Sequence, residues 1–208
     1  MDYLEALRWR YSVKKFNGKK IADKTIENIL ESARLSASSL GLQPYKIILI
    51  ESDEVLAKII PSFYNPNQIS TCSHVIVLAT ETQLNDEYVD GYFQSICECR
   101  NMNLDQLGPF RKSIDGFIEQ MSKEKKQTWA EKQAYIALGN LLFACALEEV
   151  DSCPMEGFRK EMLDQLLNLP EQNLTATVLL TLGYRSKDDE FQHLQKVRRS
   201  TEKFYLKY

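Results

Sequence analysis

The chain has 208 residues, enough for one domain with a substantial core. Its 44% hydrophobic and 26% charged residues are ordinary for a globular protein, and a formal net charge of -3 argues against a nucleic-acid binder, which carries a basic excess. No segment near the start joins positive charge, an apolar stretch and a small-residue cleavage site, so a cytoplasmic location is expected.

In chain order, Tyr3, Leu4 and Leu7 mark a short amphipathic helix, followed by an extended segment over Arg10–Phe16. Asp23 is placed to cap a second helix, with Ile26, Ile29, Leu30 and Ala33 on one face. A hydroxyl-rich loop, Ser36 to Pro44, leads into a buried strand over Tyr45–Glu51. Asp53 caps a helix through Ile60, and residues 63–72 read as a loop. His74–Ala79 is a second buried strand. From Asp86 to about Met121 the pattern is helical, with a break expected at Gly108-Pro109. The capping-box pattern Thr128-Trp129-Ala130-Glu131 predicts the start of the longest helix, running to about Val150. Its Ala134–Leu147 stretch is apolar on nearly all sides, which calls for burial within the molecule or between subunits. It is interrupted by Asn140 and too short to span a bilayer, so no membrane partner is expected. Asp151–Met155 is extended, Phe158–Leu167 helical and Thr175–Tyr184 a third strand. The exposed aromatic tail Phe204-Tyr205-Leu206 calls for cover by a neighbouring subunit. With no repeat, linker or low-complexity tract, residues 1–208 form one α+β domain, a central sheet with helices on both faces.

Five cysteines form no disulfide framework. Cys97-Glu98-Cys99 lacks the spacing and second half of a zinc site, so no metal is expected. Two basic clusters stand near opposite ends of the chain, Arg8 to Lys14 and Lys196 to Arg199. In the extended first cluster, Arg10, Ser12 and Lys14 share one side, a row of guanidinium, hydroxyl and ammonium. Folded beside the second cluster, this row would cradle a phosphorylated cofactor; by themselves the same residues also read as a basic surface strip.

Four segments taken together carry more: Arg10-Tyr11-Ser12-Val13-Lys14, Ser38-Ser39 with Gln43-Pro44, Pro154-Met155-Glu156-Gly157, and Lys196-Val197-Arg198. In this order, with Asn65, Ser73-His74-Val75-Ile76-Val77 and Trp129 to Asn140 between them, they resemble the flavin-binding nitroreductase family, particularly its oxygen-insensitive NAD(P)H nitroreductases and dihydropteridine-reductase-like members. The resemblance implies a three-layer α/β/α fold with a mixed central sheet, a long buried helix, and a C-terminal arm exchanged with a partner in a homodimer. It implies FMN as cofactor and NADH or NADPH as hydride donor; a weak choice between the two fits the lack of a glycine-rich dinucleotide fingerprint.

Carried onto this chain, the resemblance gives Arg10, Lys196 and Arg198 the FMN phosphate, and Ser12 the phosphate or ribityl chain. Tyr11 would contribute backbone. Lys14 and Asn65 would meet the pyrimidine edge, with Gln68 nearby. Beside Met155, the N–H groups of Glu156 and Gly157 would face N5, where glycine allows close backbone approach. Lys14, Glu156 and Gly157 would thus serve catalysis. Ser38, Ser39 and Gly41 would reach the cofactor of the other subunit.

Three departures stand out. Gln68 replaces a lysine common in relatives, Tyr11 replaces a histidine, and Leu40-Gly41-Leu42 lacks the usual polar residues. The implied activity is two-electron, ping-pong reduction of small electron acceptors such as nitroaromatics, quinones or pteridines. Enone reduction, dehalogenation, flavin destruction or non-catalytic flavin binding are the alternatives.

Overall fold

The computed structural model describes residues 2–208. Two apolar runs dominate: β2 (His74–Glu81) is buried along its whole length and β4 (Leu174–Gly183) almost so. Flanked by β1 (Tyr45–Ile50) and β3 (Asp151–Met155), they form a four-stranded sheet in the order β1-β2-β4-β3. Every pairing in it is antiparallel, with Ile48 opposite Val77, Ile76 opposite Leu180 and Cys153 opposite Thr181. The mixed sheet expected of the fold is therefore corrected. Within the described chain, parallel pairing is confined to one isolated bridge, Ser12 with Ser152, because the Arg10–Phe16 segment touches the β3 edge without extending a ladder.

Alternation along β2 sorts the core onto two faces. Val75, Val77 and Ala79 pack with Val13 and Phe16, with α3 (Asp53–Ile59) and with α7 (Lys160–Leu166). Ile76 and Leu78 pack under α2 (Asp23–Arg34) and α6 (Lys123–Leu147). Three layers result. A third cluster, built on Phe93, Ile96, Ile114 and Ile118, joins α4 (Asp86–Arg100) to α5 (Gly108–Glu119).

Several boundaries differ from expectation for local reasons. The cap of α3 is Ser52, whose hydroxyl accepts from Val55 N–H, and Asp53 is its first residue; Asp23 likewise sits in the first turn of α2, after Ala22. α4 ends at Asn101, held at φ 52° in the left-handed region that asparagine tolerates. Gly108-Pro109 opens α5 instead of breaking a helix, since proline at the first turn forfeits no helical bond. α6 starts at Lys123 under a Ser122 cap, leaving Thr128-Glu131 mid-helix.

The apolar faces of two helices are only partly used. In α1 (Tyr3–Trp9) only Ala6 is buried, while Tyr3, Leu4 and Leu7 are exposed. α6 buries Ala130, Ala134, Ala137, Leu138 and Leu141, yet leaves Tyr135, Ile136 and Leu147 more than 40% exposed. The tail, including α8 (Thr201–Phe204), is open throughout.

His74 gives the fold a pH dependence. The imidazole is buried, its Nδ1 bonded at 2.7 Å to Ser73 Oγ, which itself accepts from Ile21 N–H. Burial, and then Lys20, hold its pKa below the usual value of 6.5, against a pull from Glu51. The unfolded chain therefore takes up a proton that the folded chain refuses, and stability falls as pH drops through and below the ordinary imidazole range. Urea midpoints of wild type and His74→Asn at pH 7 and 5.5 test this. The wild type is expected to lose more, by at most about 1.4 kcal/mol per pH unit for one proton; equal losses would refute it.

Candidate active site

The basic clusters meet because three acidic anchors pull their segments together. Arg10 ends α1 in extended conformation, and Val13 and Phe16 then plug into the core. Asp189, 2% exposed, accepts from the N–H groups of Lys14 (2.7 Å) and Lys15 (3.1 Å) through one oxygen, and from Phe191 N–H (3.0 Å) through the other. This single carboxylate joins the extended Arg10–Phe16 segment to the C-terminal segment. At the rim, Asp188 adds an exposed ion pair with Lys15 at 3.1 Å. Asp151, the buried first residue of β3, receives Arg185 N–H at 2.7 Å and its guanidinium in a fork at 2.9 and 2.6 Å. That guanidinium lies 4.4 Å from the ring centroid of Trp9 and 4.7 Å from that of Tyr11. A paired, stacked arginine of this kind is a rigid spacer between β3, β4 and the extended Arg10–Lys14 segment.

Between these segments lies a cavity of about 400 Å³ lined by Arg10, Tyr11, Ser12, Lys14, Lys196 and Arg198, with Arg185 and Phe191 at its wall. Nε and Nη2 of Arg10 are buried and bond to nothing in the described chain. Burial, followed by Arg198, holds the Arg10 pKa below its ordinary value; burial, Arg10 and Arg198 do the same to Lys196. Cations that depress one another in a recess would be relieved by an anion placed among them. Lys196 Nζ is meanwhile engaged by the carbonyls of Leu7, Arg8 and Arg10 at the end of α1, and Arg198 Nη1 donates to Val197 O at 2.7 Å. The Tyr11 hydroxyl is buried without a geometric partner and faces Asp189; burial first, then that charge, raise its pKa.

Lys14 extends past this recess. Its Nζ lies 3.7 Å from Cys153 Sγ and 6.0 Å from the Phe191 ring centroid. Burial raises the Cys153 thiol pKa, opposed chiefly by Lys14. Gln68 is buried beside them, its Oε1 unpartnered. Asn65 is exposed, its Oδ1 accepting Asn67 N–H at 3.2 Å, which folds the loop that carries Gln68.

At the far end of β3, after buried Met155, the backbone turns outward. Phe158 N–H donates to Glu156 O at 2.9 Å and Tyr64 N–H to Gly157 O at 3.1 Å. Among the described residues no acceptor meets the N–H of Glu156 or Gly157, and both residues are exposed. A Cβ on Gly157 would meet nothing closer than Tyr64 at 4.0 Å, so no contact within the chain requires glycine there.

Ser38, Ser39 and Gly41 stand apart from the cradle. Ser38 Oγ accepts from Gln43 N–H, Ser39 N–H donates to Gln133 Oε1 at 2.8 Å, and Tyr92 Oη donates to Leu40 O. Gly41, at φ +74°, passes so close to Tyr92 that a Cβ would lie 2.6 Å from its hydroxyl. The loop is thereby tied to α4 and α6, and none of these bonds reaches Arg10, Lys14 or Lys196. Cys97 and Cys99 lie on α4, the first half-buried and the second exposed. No helix among the described residues is long and apolar enough to cross a membrane.

Asp151, Arg185, Asp189 and Phe191 were not legible as site residues. The available signal was Asp151 between apolar Val150 and Cys153, since a carboxylate entering a buried strand needs a partner.

Comparison with known proteins supplies the family and the fold. Residues 7–184 match the Nitroreductase family. A Bacillus subtilis protein provisionally named NAD(P)H nitroreductase YfkO is 32% identical over 197 residues, 89% of each chain. A crystal structure from Exiguobacterium sibiricum, described as a nitroreductase in complex with FMN, superposes with a TM-score of 0.87 at 20% identity, covering 100% of this chain and 98% of that one. The enone reductase CLA-ER, from gut-bacterial fatty acid saturation, superposes at 0.84 with 18% identity over 97% and 95%. With the matched span taking in the Arg10–Lys14 segment, β3 and the Glu156–Gly157 corner, the chain belongs to the Nitroreductase family.

Proposed function

We propose that this chain is an FMN-dependent oxidoreductase that takes hydride from NADH or NADPH and delivers it to a small electrophile, of the nitroaromatic, quinone or pteridine class. The observation that carries the reading is half-buried Arg10, whose Nε and Nη2 are buried and unpartnered inside a cationic recess, which fits a phosphate. When bound, FMN supplies an acceptor and donor of hydride at one ring face.

The residues present divide the work of holding it. Arg10, Lys196 and Arg198 neutralise the phosphate, with Ser12 alongside. Lys14 offers its ammonium to the polar ring edge, with Asn65 and Gln68 on the adjoining loop. The free N–H groups of Glu156 and Gly157 are donors awaiting an acceptor, and the open space before Gly157 lets one approach. Ser38, Ser39 and Gly41 complete the neighbouring subunit's site in a homodimer. The exposed Tyr3, Leu4 and Leu7 of α1, Ile136 and Leu147 of α6, and Phe204 and Leu206 of the tail support that assembly and an exchanged C-terminal arm.

The purified protein is expected to be yellow, to release FMN on denaturation, and to oxidise NADH and NADPH faster with a nitroaromatic or quinone present. Light scattering at micromolar concentration should give twice the chain mass. A colourless protein with no affinity for added FMN would overturn the reading. A panel containing an enone separates the acceptor classes, as the enone-reductase neighbour makes that the second one to try.

A further inference from the structure

The Glu156–Gly157 corner holds an apparent contradiction. Two unpaired backbone donors sit beside an exposed carboxylate, a strong acceptor within reach of them. What holds the carboxylate elsewhere is visible: Tyr135 Oη, projecting from α6, donates to Glu156 Oε1. No other side-chain bond reaches Glu156 among the described residues. The remaining ties of the corner are backbone bonds, from Phe158 N–H to Glu156 O and from Tyr64 N–H to Gly157 O, and neither constrains the side chain.

The surroundings favour this bond over a looser one. Burial raises the Tyr135 pKa to about 12, with Glu156 and Glu131 adding to the effect, so the phenol stays a donor at any working pH. Glu131 is itself drawn to Lys160 at 3.6 Å, which leaves Glu156 as the acceptor bonded to Tyr135.

We propose that Tyr135 is a positioning residue: by holding the Glu156 carboxylate against α6, it keeps the two N–H groups unmasked and a negative charge off the face they serve. The inference rests on the reading of that corner as the contact to the flavin ring, and it adds a residue outside the corner that keeps it open. A carboxylate folded back would compete for both donors. It would also repel the charge that a reduced flavin carries, so the hold on reduced cofactor should weaken relative to oxidised.

Two measurements test this, one of them free of flavin. In the FMN-free protein, amide hydrogen exchange followed by NMR is expected to slow at Glu156 or Gly157 in Tyr135→Phe, by about fivefold or more, as the carboxylate caps an N–H. In the FMN-loaded protein, Tyr135→Phe is expected to bind oxidised FMN within about threefold of wild type, since the phosphate end is untouched. Its hold on reduced flavin should fall about tenfold relative to oxidised, a negative shift in midpoint potential of about 30 mV for a two-electron couple. In a Glu156→Gln background, without the charge, Tyr135→Phe should move the potential little. Unchanged exchange and an unchanged potential would overturn the inference while leaving the FMN reading intact. An equal potential shift with and without the Glu156 charge would overturn the electrostatic role. A wild type that takes up no FMN would sink the functional reading, and the exchange experiment would still decide the tie.

Discussion

Replacing Arg10 with methionine is expected to make the FMN-stripped protein more stable and, at the same time, to cost it most of its affinity for FMN. The two effects have one origin. Nε and Nη2 of Arg10 are buried without a partner, and Arg198 and Lys196 add repulsion, so the unliganded fold carries an uncompensated cation. Methionine keeps the apolar stem and removes the charge. Relief of a half-buried, poorly compensated charge of this sort is expected to stabilise by up to about 1 kcal/mol. The same substitution deletes a charge-assisted bond to phosphate, which weakens binding by about 1.5–3 kcal/mol, or about 10- to 150-fold in Kd. Urea unfolding of the stripped protein and a fluorescence titration with FMN would read the two changes. A variant that binds FMN as tightly as wild type would refute the phosphate assignment, whatever its stability.

The second large effect is expected at Asp189. Asp189→Ala removes the acceptor for three backbone N–H groups, on Lys14, Lys15 and Phe191, and with it the join between the two basic clusters. Hydrogen bonds to a charged, buried group are worth about 1.5–3 kcal/mol each, and three that share one carboxylate are not additive. A loss of about 3 kcal/mol in unfolding free energy is expected, with FMN retention falling as Lys14 and Lys196 separate. Asp189→Asn keeps one accepting oxygen and should recover part of both. A stability loss below about 1 kcal/mol in Asp189→Ala would show that the extended segment is held by the Val13 and Phe16 plugs alone.

These anchors also explain which parts of the molecule were legible in the sequence. β2 and β4 announce themselves because a strand covered on both faces must be apolar at every position, and His74 to Ala79 is nearly so. The end of the longest helix fell within a turn or so of its predicted place, but its start did not. Thr128 and Glu131 have the spacing of a capping box by coincidence, and the true cap, Ser122, precedes five polar residues whose helicity leaves no periodic trace. The positive charges of the site were visible as residue types. Their convergence was expected from the family resemblance and not from the residue types, because it depends on Asp151 and Asp189. In a sequence these are two acids among 29 acidic residues, and only the fold shows that they are buried and bonded.

Lys196 has two suitors. In the fold its ammonium closes the end of α1, taking the carbonyls of Leu7, Arg8 and Arg10 that a helix terminus leaves without donors. A phosphate in the recess asks for the same three protons. An ammonium can divide its donors between them only where the geometry lets one nitrogen face both ways. Loading the recess and sealing the first helix are therefore in exchange with each other. Whatever a phosphate takes from Lys196 is withdrawn from the C-terminal end of the helix whose Tyr3, Leu4 and Leu7 stand exposed. The grip on the cofactor and the closing of the first helix are thus tied to a single side chain.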